Sequence, residues 1–178
     1  MVVLFAHIHG RIMEPYLSFY NMERDYSVCK TRIGFKIASD DMEIDPASIS
    51  DCLRLNPSRM HRKGDTWIGK RTGSVCTNAR TVWAIDSEWT ILEEETVSHH
   101  IEYFKSILLP KTDILKRYKE DDNYELSFWI TIHTDDAGIG LDLNEDELSF
   151  LSDHSNRIHF SVISVSEIAY PQSGNEER

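Results

Sequence analysis

The chain has 178 residues, of which 40% are hydrophobic and 28% are charged, values that are ordinary for one globular domain. Its formal charge of −11 argues against a general nucleic-acid-binding surface and against binding to an anionic membrane. Three cysteines without a Cys-x-x-Cys pair argue against a disulfide framework, so we expect a reducing compartment.

The first half of the chain predicts strands around one short helix. Residues 2–9 alternate weakly, and residues 29–37 alternate strongly, which is typical of a strand with one buried and one solvated face. The apolar positions are Cys29, Ile33, Phe35 and Ile37, and the cationic positions on the other face are Lys30, Arg32 and Lys36. Asp45 is a good N-cap for a helix that starts at Pro46 and runs to near Leu55.

Two further strands are predicted after this helix. Residues 67–68 form a short aromatic strand, residues 69–78 are turn-like, and residues 81–85 form a strong strand. Because the two strands are close in sequence, we expect them to pair with each other as a hairpin.

The second half predicts three helices and two strands. Val97, Ile101, Phe104 and Leu108 form one apolar stripe of a helix that ends before Pro110. A shorter helix is expected at 113–119, a clear strand at 126–132, and a helix whose capping box pairs Asn144 with Glu147. A last strand covers 158–162.

This order of elements predicts an α+β fold. We expect a mostly antiparallel sheet with helices on one face, organised as a ferredoxin-like βαββαβ core plus an extra αβ unit. Residues 1–170 would form a single domain, and residues 171–178 a disordered tail. The apolar start has no basic n-region, and no run reaches the roughly 20 apolar residues of a membrane span, so we expect a cytoplasmic protein.

The most unusual segment is the basic loop, residues 56–65, with the sequence Asn-Pro-Ser-Arg-Met-His-Arg-Lys-Gly-Asp. Its candidate ligand-binding residues are Arg59, His61, Arg62, Lys63 and Asp65. Arginine offers a bidentate fork and lysine a point charge to a phosphate or carboxylate. The alternative is that these side chains hold the connection between the helix and the next strand.

Acidic residues are concentrated in the second half of the chain. Residues 1–85 contain 12 Lys+Arg and 9 Asp+Glu, a charge of +3, whereas residues 86–178 contain 7 and 21, a charge of −14. The candidate partner-binding carboxylates are Glu120, Asp121, Asp122, Asp135, Asp136 and Asp142. They form either a solvated acidic surface or a face for a basic partner.

Catalytic and metal-binding patterns are weak. No His, Cys and carboxylate set has a recognised zinc spacing, and the carboxylates around Gly138 lack the phasing of a calcium loop. His61 and Asp65 are close in sequence, but nothing places a nucleophile beside them. We therefore predict no metal, no cofactor and no enzymatic activity.

The basic loop, the helix after Asp45-Pro46, Trp83 on a strand and the capped helix near 143–151 together resemble a bacterial family of domains of unknown function, number forty-two seventy-nine in its series. The resemblance covers about residues 27–166. It implies a small cytosolic bacterial protein, and some members of the family look like immunity proteins of toxin systems.

The resemblance and the acidic second half lead to one main hypothesis. The chain is expected to be an immunity protein that binds and neutralises a cognate cytosol-acting toxin, a cationic nuclease of a contact-dependent or polymorphic toxin system, without binding nucleic acid or membrane itself. The alternative is a small-ligand or phosphate-binding module that uses residues 59–65.

Overall fold

The computed structural model describes residues 29–70, 72–91, 97–134 and 139–164. Eight strands are present in these ranges: β1 (Lys30–Ser39), β2 (Arg59–His61), β3 (Thr66–Ile68), β4 (Val75–Thr77), β5 (Thr81–Asp86), β6 (Thr90–Ile91), β7 (Glu125–Thr134) and β8 (Arg157–Ser164). Four α-helices accompany them: α1 (Pro46–Leu53), α2 (Ser98–Leu108), α3 (Thr112–Glu120) and α4 (Glu145–Asp153). A 3-10 turn, Leu109–Lys111, joins α2 to α3. The predicted strand at 2–9 and the predicted tail lie outside the described residues.

The main sheet has the strand order β2-β5-β1-β7-β8, with the short β6 pairing with the start of β1. The pair β7–β8 is parallel, and the other pairs are antiparallel. The expectation of an α+β fold with a mostly antiparallel sheet is therefore confirmed in these coarse terms, as a mixed sheet with helices.

One face of this sheet carries the core, because alternate residues of β1, β5 and β7 contact all four helices. Ile33, Phe35 and Ile37 of β1 are fully buried there, as the alternation predicts. The buried helix residues packed on the same face are Ile49, Leu53, Ile101, Phe104, Leu108, Leu115, Phe150 and Leu151.

The helix ends follow the local chemistry of the sequence. The Asp45 carboxylate accepts a hydrogen bond from the Ala47 backbone N–H at 3.1 Å, with Pro46 at the first helical position. Arg54 adopts a left-handed conformation with φ of 52°, which ends α1 slightly before the predicted Leu55. At α4 the predicted capping box is confirmed, since Asn144 and Glu147 each accept a hydrogen bond from the other's backbone N–H.

Two predictions about residues 56–85 are wrong. The basic loop is not entirely a loop, because Arg59–His61 forms β2, an edge strand that pairs with β5. The short strand predicted at residues 67–68 is confirmed as β3, but its predicted partner is wrong. β3 pairs with β4, which lies in the segment expected to be turn-like, while β5 lies between β2 and β1. The side chains of β3 are exposed, so this small hairpin lies outside the core that orders the main strands.

Candidate functional site

Three regions hold the candidate functional residues: the basic loop, the sheet face opposite the helices, and one end of the sheet.

In the basic loop, Arg59 forms a two-point ion pair with Asp86. Its Nε donates to Oδ2 at 2.9 Å and its Nη2 donates to Oδ1 at 3.2 Å. The Arg59 side chain is 57% exposed and that of Asp86 is 11% exposed, so the pair lies at the surface with the carboxylate inside.

The other loop residues contact the protein itself. Arg62 lies 2.8 Å from the Asp45 carboxylate, and this hydrogen bond lowers the pKa of Asp45. The Lys63 ammonium donates to the Asp40 carbonyl at 2.7 Å, and the Asp65 carboxylate accepts from the Arg62 backbone N–H at 3.1 Å. Arg62 and Lys63 thus tie the loop to the segment between β1 and α1.

His61 completes the set of loop candidates. Its position on β2 pairs with Val82, on the sheet face opposite the helices. Burial lowers the pKa of His61 first, and the charge of Arg59 lowers it further. The loop cations therefore point to different partners, and they do not form a single phosphate-binding cradle.

The open sheet face, which we define as the face of the main sheet opposite the four helices, is cationic and aromatic. Lys36 lies with its Nζ 4.5 Å from the centre of the Trp129 ring, and Trp129 stacks on His159 at 4.1 Å. Arg32 lies 4.7 Å from the centre of the Trp89 ring. Cations over aromatic faces are attracted by the ring quadrupole, so these contacts hold the cations in place.

The pKa of Lys36 is lowered by burial and by neighbouring charges on this face. Burial lowers it most, the carboxylate of Glu125 raises it, and the charges of Arg80, Arg59 and Arg157 lower it. Lys36 therefore lies within electrostatic reach of three arginines and one carboxylate.

An acidic cleft of about 430 Å³ lies where β1 ends and β7 begins. We use this name for the depression whose carboxylates are Asp40, Asp41, Asp121, Asp122 and Glu125 and whose cations are Arg80, Lys119 and Arg157. Arg80 pairs with Asp40 and Glu125, and Arg157 approaches Glu125 at 3.8 Å. Asp41, Asp121 and Asp122 have no ion pair within the described part of the chain.

The structure separates the predicted partner-binding carboxylates. Asp121 and Asp122 line the acidic cleft, and Glu120 ends α3 directly before it. Asp142 lies in the segment that leads into α4 and does not line the cleft. Asp135 and Asp136 lie outside the described residues. The cleft instead gains Asp40 and Asp41, which the strand order places beside the start of β7.

A family model for a domain of unknown function, DUF4279, matches residues 29–164, well over half of the chain. The chain belongs to the DUF4279 family. The resemblance stated from the basic loop and the element order is thereby confirmed. No curated protein and no solved structure matches the chain.

Histidines are not arranged as metal ligands in the described part of this DUF4279 chain, where no group of three or more His, Cys, Asp or Glu side chains could hold a metal ion. His100 instead hydrogen-bonds two hydroxyls, with Nδ1 2.9 Å from Ser87 Oγ and Nε2 3.0 Å from Thr90 Oγ1. Burial and the neighbouring His99 lower the pKa of His100 to about 4, so it is neutral near pH 7.

Sequence reasoning missed the open sheet face of this DUF4279 domain. The signal was present, because Arg32 and Lys36 alternate with buried residues of β1. The alternation correctly predicted that they lie on the solvated face of β1, but it could not show that other strands bring Trp129 and Arg59 to the same face. Among the described helices, none is both long and apolar enough to cross a membrane.

Proposed function

We propose that this DUF4279 protein is an immunity protein that neutralises a basic, cytosol-acting toxin, with the acidic cleft as its main contact. The observation that carries the proposal is the convergence of carboxylates from two distant segments, the turn after β1 and the turn before β7. Asp41, Asp121 and Asp122 have no ion pair within the described residues, which leaves these charges available to a cationic partner.

The proposed mechanism is electrostatic capture and occlusion. A nuclease toxin carries a cationic substrate cleft, because its substrate is a polyanion. Carboxylates presented on a rigid sheet end steer such a surface into contact and then cover it. The protein acts in the cytoplasm as a stoichiometric binder, without a catalytic step, a cofactor or direct contact with nucleic acid.

The test compares two charge variants of equal size. Asp41→Asn/Asp121→Asn/Asp122→Asn removes three cleft carboxylates that have no ion pair within the described residues. Asp51→Asn/Glu88→Gln/Asp113→Asn removes three exposed carboxylates that do not line the cleft. The tagged wild-type protein is used to isolate a basic partner, which is then produced in cells with each variant. Growth rescue by the wild type and the control variant, but not by the cleft variant, supports the proposal.

Two outcomes count against it. If the wild-type protein fails to rescue growth, the immunity function is wrong. If the cleft variant rescues growth as well as the control, the function stands but the acidic cleft is not the contact surface.

We also propose that the core is ferredoxin-like. The strand order supports this arrangement, because β5 lies between the two strands that α1 connects, and β1 lies between the two strands connected by α2 and α3. These are two split βαβ units. The β3–β4 hairpin is then an insertion, and α4 with β8 is the extra αβ unit.

The alternative function, phosphate binding by residues 59–65 alone, stays a prediction. Arg62 and Lys63 bind other parts of the protein, and Arg59 is the loop cation that reaches the open sheet face. The open sheet face also has a cleft lined by Arg32, Lys36 and Arg59, and this cationic lining favours ligand binding on that face.

A further inference from the structure

A shallow cleft of about 250 Å³ lies on the open sheet face, away from the acidic cleft. Its lining includes three cations, Arg32, Lys36 and Arg59, and one carboxylate, Asp86. The carboxylate is already paired with Arg59, and Glu125 lies close enough to Lys36 to raise its pKa, so the cleft keeps an excess of positive charge. Neither Arg32 nor Lys36 has an ion pair within the described residues.

The floor of this cleft is Gly34. The strand register places Gly34 between Asp86 on β5 and Trp129 on β7, and a Cβ atom at this position would come within 2.6 Å of the Asp86 Oδ1. Glycine weakens a strand interior, and one reason for its presence there is the close approach of another group. Here the missing side chain makes room for the Asp86 carboxylate, which lies against Gly34 and faces Arg59.

Two of the three cations, Lys36 and Arg59, are directed toward the row of the sheet that contains Gly34. Lys36 is opposite Ser127 in the register, yet its ammonium lies over the ring of Trp129, which is opposite Gly34. Arg59 is opposite Ala84, yet its guanidinium reaches Asp86, which is also opposite Gly34. Two positive charges from separate strands therefore approach the same row of the sheet.

We propose that this cleft binds a small phosphomonoester that carries a hydroxyl group, with its phosphoryl oxygens held between Lys36, Arg32 and Arg59. The guanidinium and ammonium groups supply charge-assisted hydrogen bonds to the oxyanion. The carboxylate of Asp86 accepts a hydrogen bond from the ligand hydroxyl, and the hydroxyl of Thr131 at the rim donates to the ligand.

Size and charge define the ligand class. The cleft is smaller than the roughly 300–1,000 Å³ typical of pockets for drug-sized ligands, so a single small molecule fits it better than a nucleotide. Asp86 would repel a second anionic group nearby, which disfavours polyphosphates and nucleic-acid backbones. One anionic group beside a hydroxyl satisfies all of these polar groups.

The inference is independent of the immunity function, because it concerns another surface. It is tested by NMR titration of the whole protein with glycerol 3-phosphate, inorganic phosphate and glycerol at constant ionic strength. The four tryptophans give separate indole N–H probes. Trp129 and Trp89 flank the cationic face, while Trp67 lies on the β3–β4 hairpin and serves as the internal control.

We expect saturable shifts of the Trp129 and Trp89 signals with glycerol 3-phosphate, weaker ones with inorganic phosphate, and none at Trp67. Glycerol alone should have no effect. Lys36→Gln should weaken binding by about tenfold or more, the loss expected for one charge-assisted hydrogen bond. Lys36→Arg should retain binding, and Lys116→Gln, an exposed cation of α3, should leave it unchanged.

Three results would overturn the proposal: equal shifts with sodium chloride, an affinity of folded Lys36→Gln within about twofold of wild type, or tighter binding of a single-stranded oligonucleotide than of glycerol 3-phosphate. The last result would assign the face to nucleic acid. Tighter binding of inorganic phosphate than of glycerol 3-phosphate would remove the role given to Asp86 and the ligand hydroxyl.

Discussion

The two faces of the main sheet are built by the same strands and differ in charge and in burial. On the helix side, Phe35 and Phe128 are fully buried in one continuous apolar cluster. On the open sheet face, their sequence neighbours Lys36 and Trp129 form a cation–aromatic pair. The difference shows what an alternating sequence achieves in these strands. The apolar residues on one face stabilise the fold by burial, and the residues on the other face are able to carry charge.

The largest effect is expected from truncating the helix side. Phe128 contacts the rings of Phe35, Phe104 and Phe150 at centroid distances of 5.0–5.8 Å. Phe128→Ala should lower the free energy of unfolding by about 3–5 kcal/mol, because it leaves a cavity among buried rings. Urea denaturation measures this loss. Trp129→Ala, one residue away on the open face, should cost about 1–2 kcal/mol; equal costs would remove the distinction between the faces.

A smaller effect is expected at the floor of the open face. Gly34→Ala should lower the free energy of unfolding by about 1–3 kcal/mol, because the new Cβ pushes the Asp86 carboxylate away from Arg59. The same substitution in an Asp86→Ala background should be neutral or stabilising. Thermal and urea denaturation of the four proteins of this double-mutant cycle give the comparison. The same cost in both backgrounds would contradict the explanation.

Lowering the pH should decrease the free energy of unfolding through His100, a buried histidine of α2. The folded state holds the pKa of His100 at about 4, below the ordinary value of 6.5, so the unfolded chain takes up the proton first. The stability that depends on neutral His100 is therefore complete above pH 6.5 and falls as the pH drops toward about 4. Urea denaturation at pH 7 and pH 5 should show a narrower gap between wild type and His100→Gln at pH 5. A gap that does not change with pH would be evidence against this assignment.

The smallest effect is expected in the basic loop. The ion pair between Arg62 and Asp45 is solvent-exposed on both sides, so Arg62→Gln should leave the Tm without a resolvable change. Asp45→Ala should lower the Tm measurably, because it also removes the N-cap hydrogen bond of α1. A large loss of stability in Arg62→Gln would show that the loop is a stronger structural element than these contacts indicate.

The sequence predicted those elements whose signal is local. Alternation identified β1, β5 and β7, and cap chemistry identified the starts of α1 and α4, because each depends on residues a few positions apart. β2 was missed because a strand of three residues with one apolar side chain, Met60, is too short to show alternation. β3 was predicted, but β4 and its pairing with β3 were missed because the exposed side chains of β4 follow no burial pattern.

The candidate sites were less predictable than the fold because they depend on strand order. Asp40 and Asp41 join Asp121 and Asp122 because the end of β1 lies beside the start of β7. Arg59 reaches Asp86 across neighbouring strands for the same reason. No spacing in the sequence encodes these contacts. The basic loop was therefore predicted as the ligand site, although Arg62, Lys63 and Asp65 make contacts within the protein itself.

The β3–β4 hairpin has a consequence for how members of this family can diverge. The chain leaves the main sheet after His61 and returns at Thr81, and His61 pairs directly with Val82. Two backbone hydrogen bonds at the base, between Gly64 and Asn78 and between Asn78 and Asp65, close the excursion. Residues beyond this neck can therefore lengthen, shorten or change completely while the sheet keeps its register. The length and sequence of the hairpin can therefore change without disturbing the main sheet, because its ends are held together at the base.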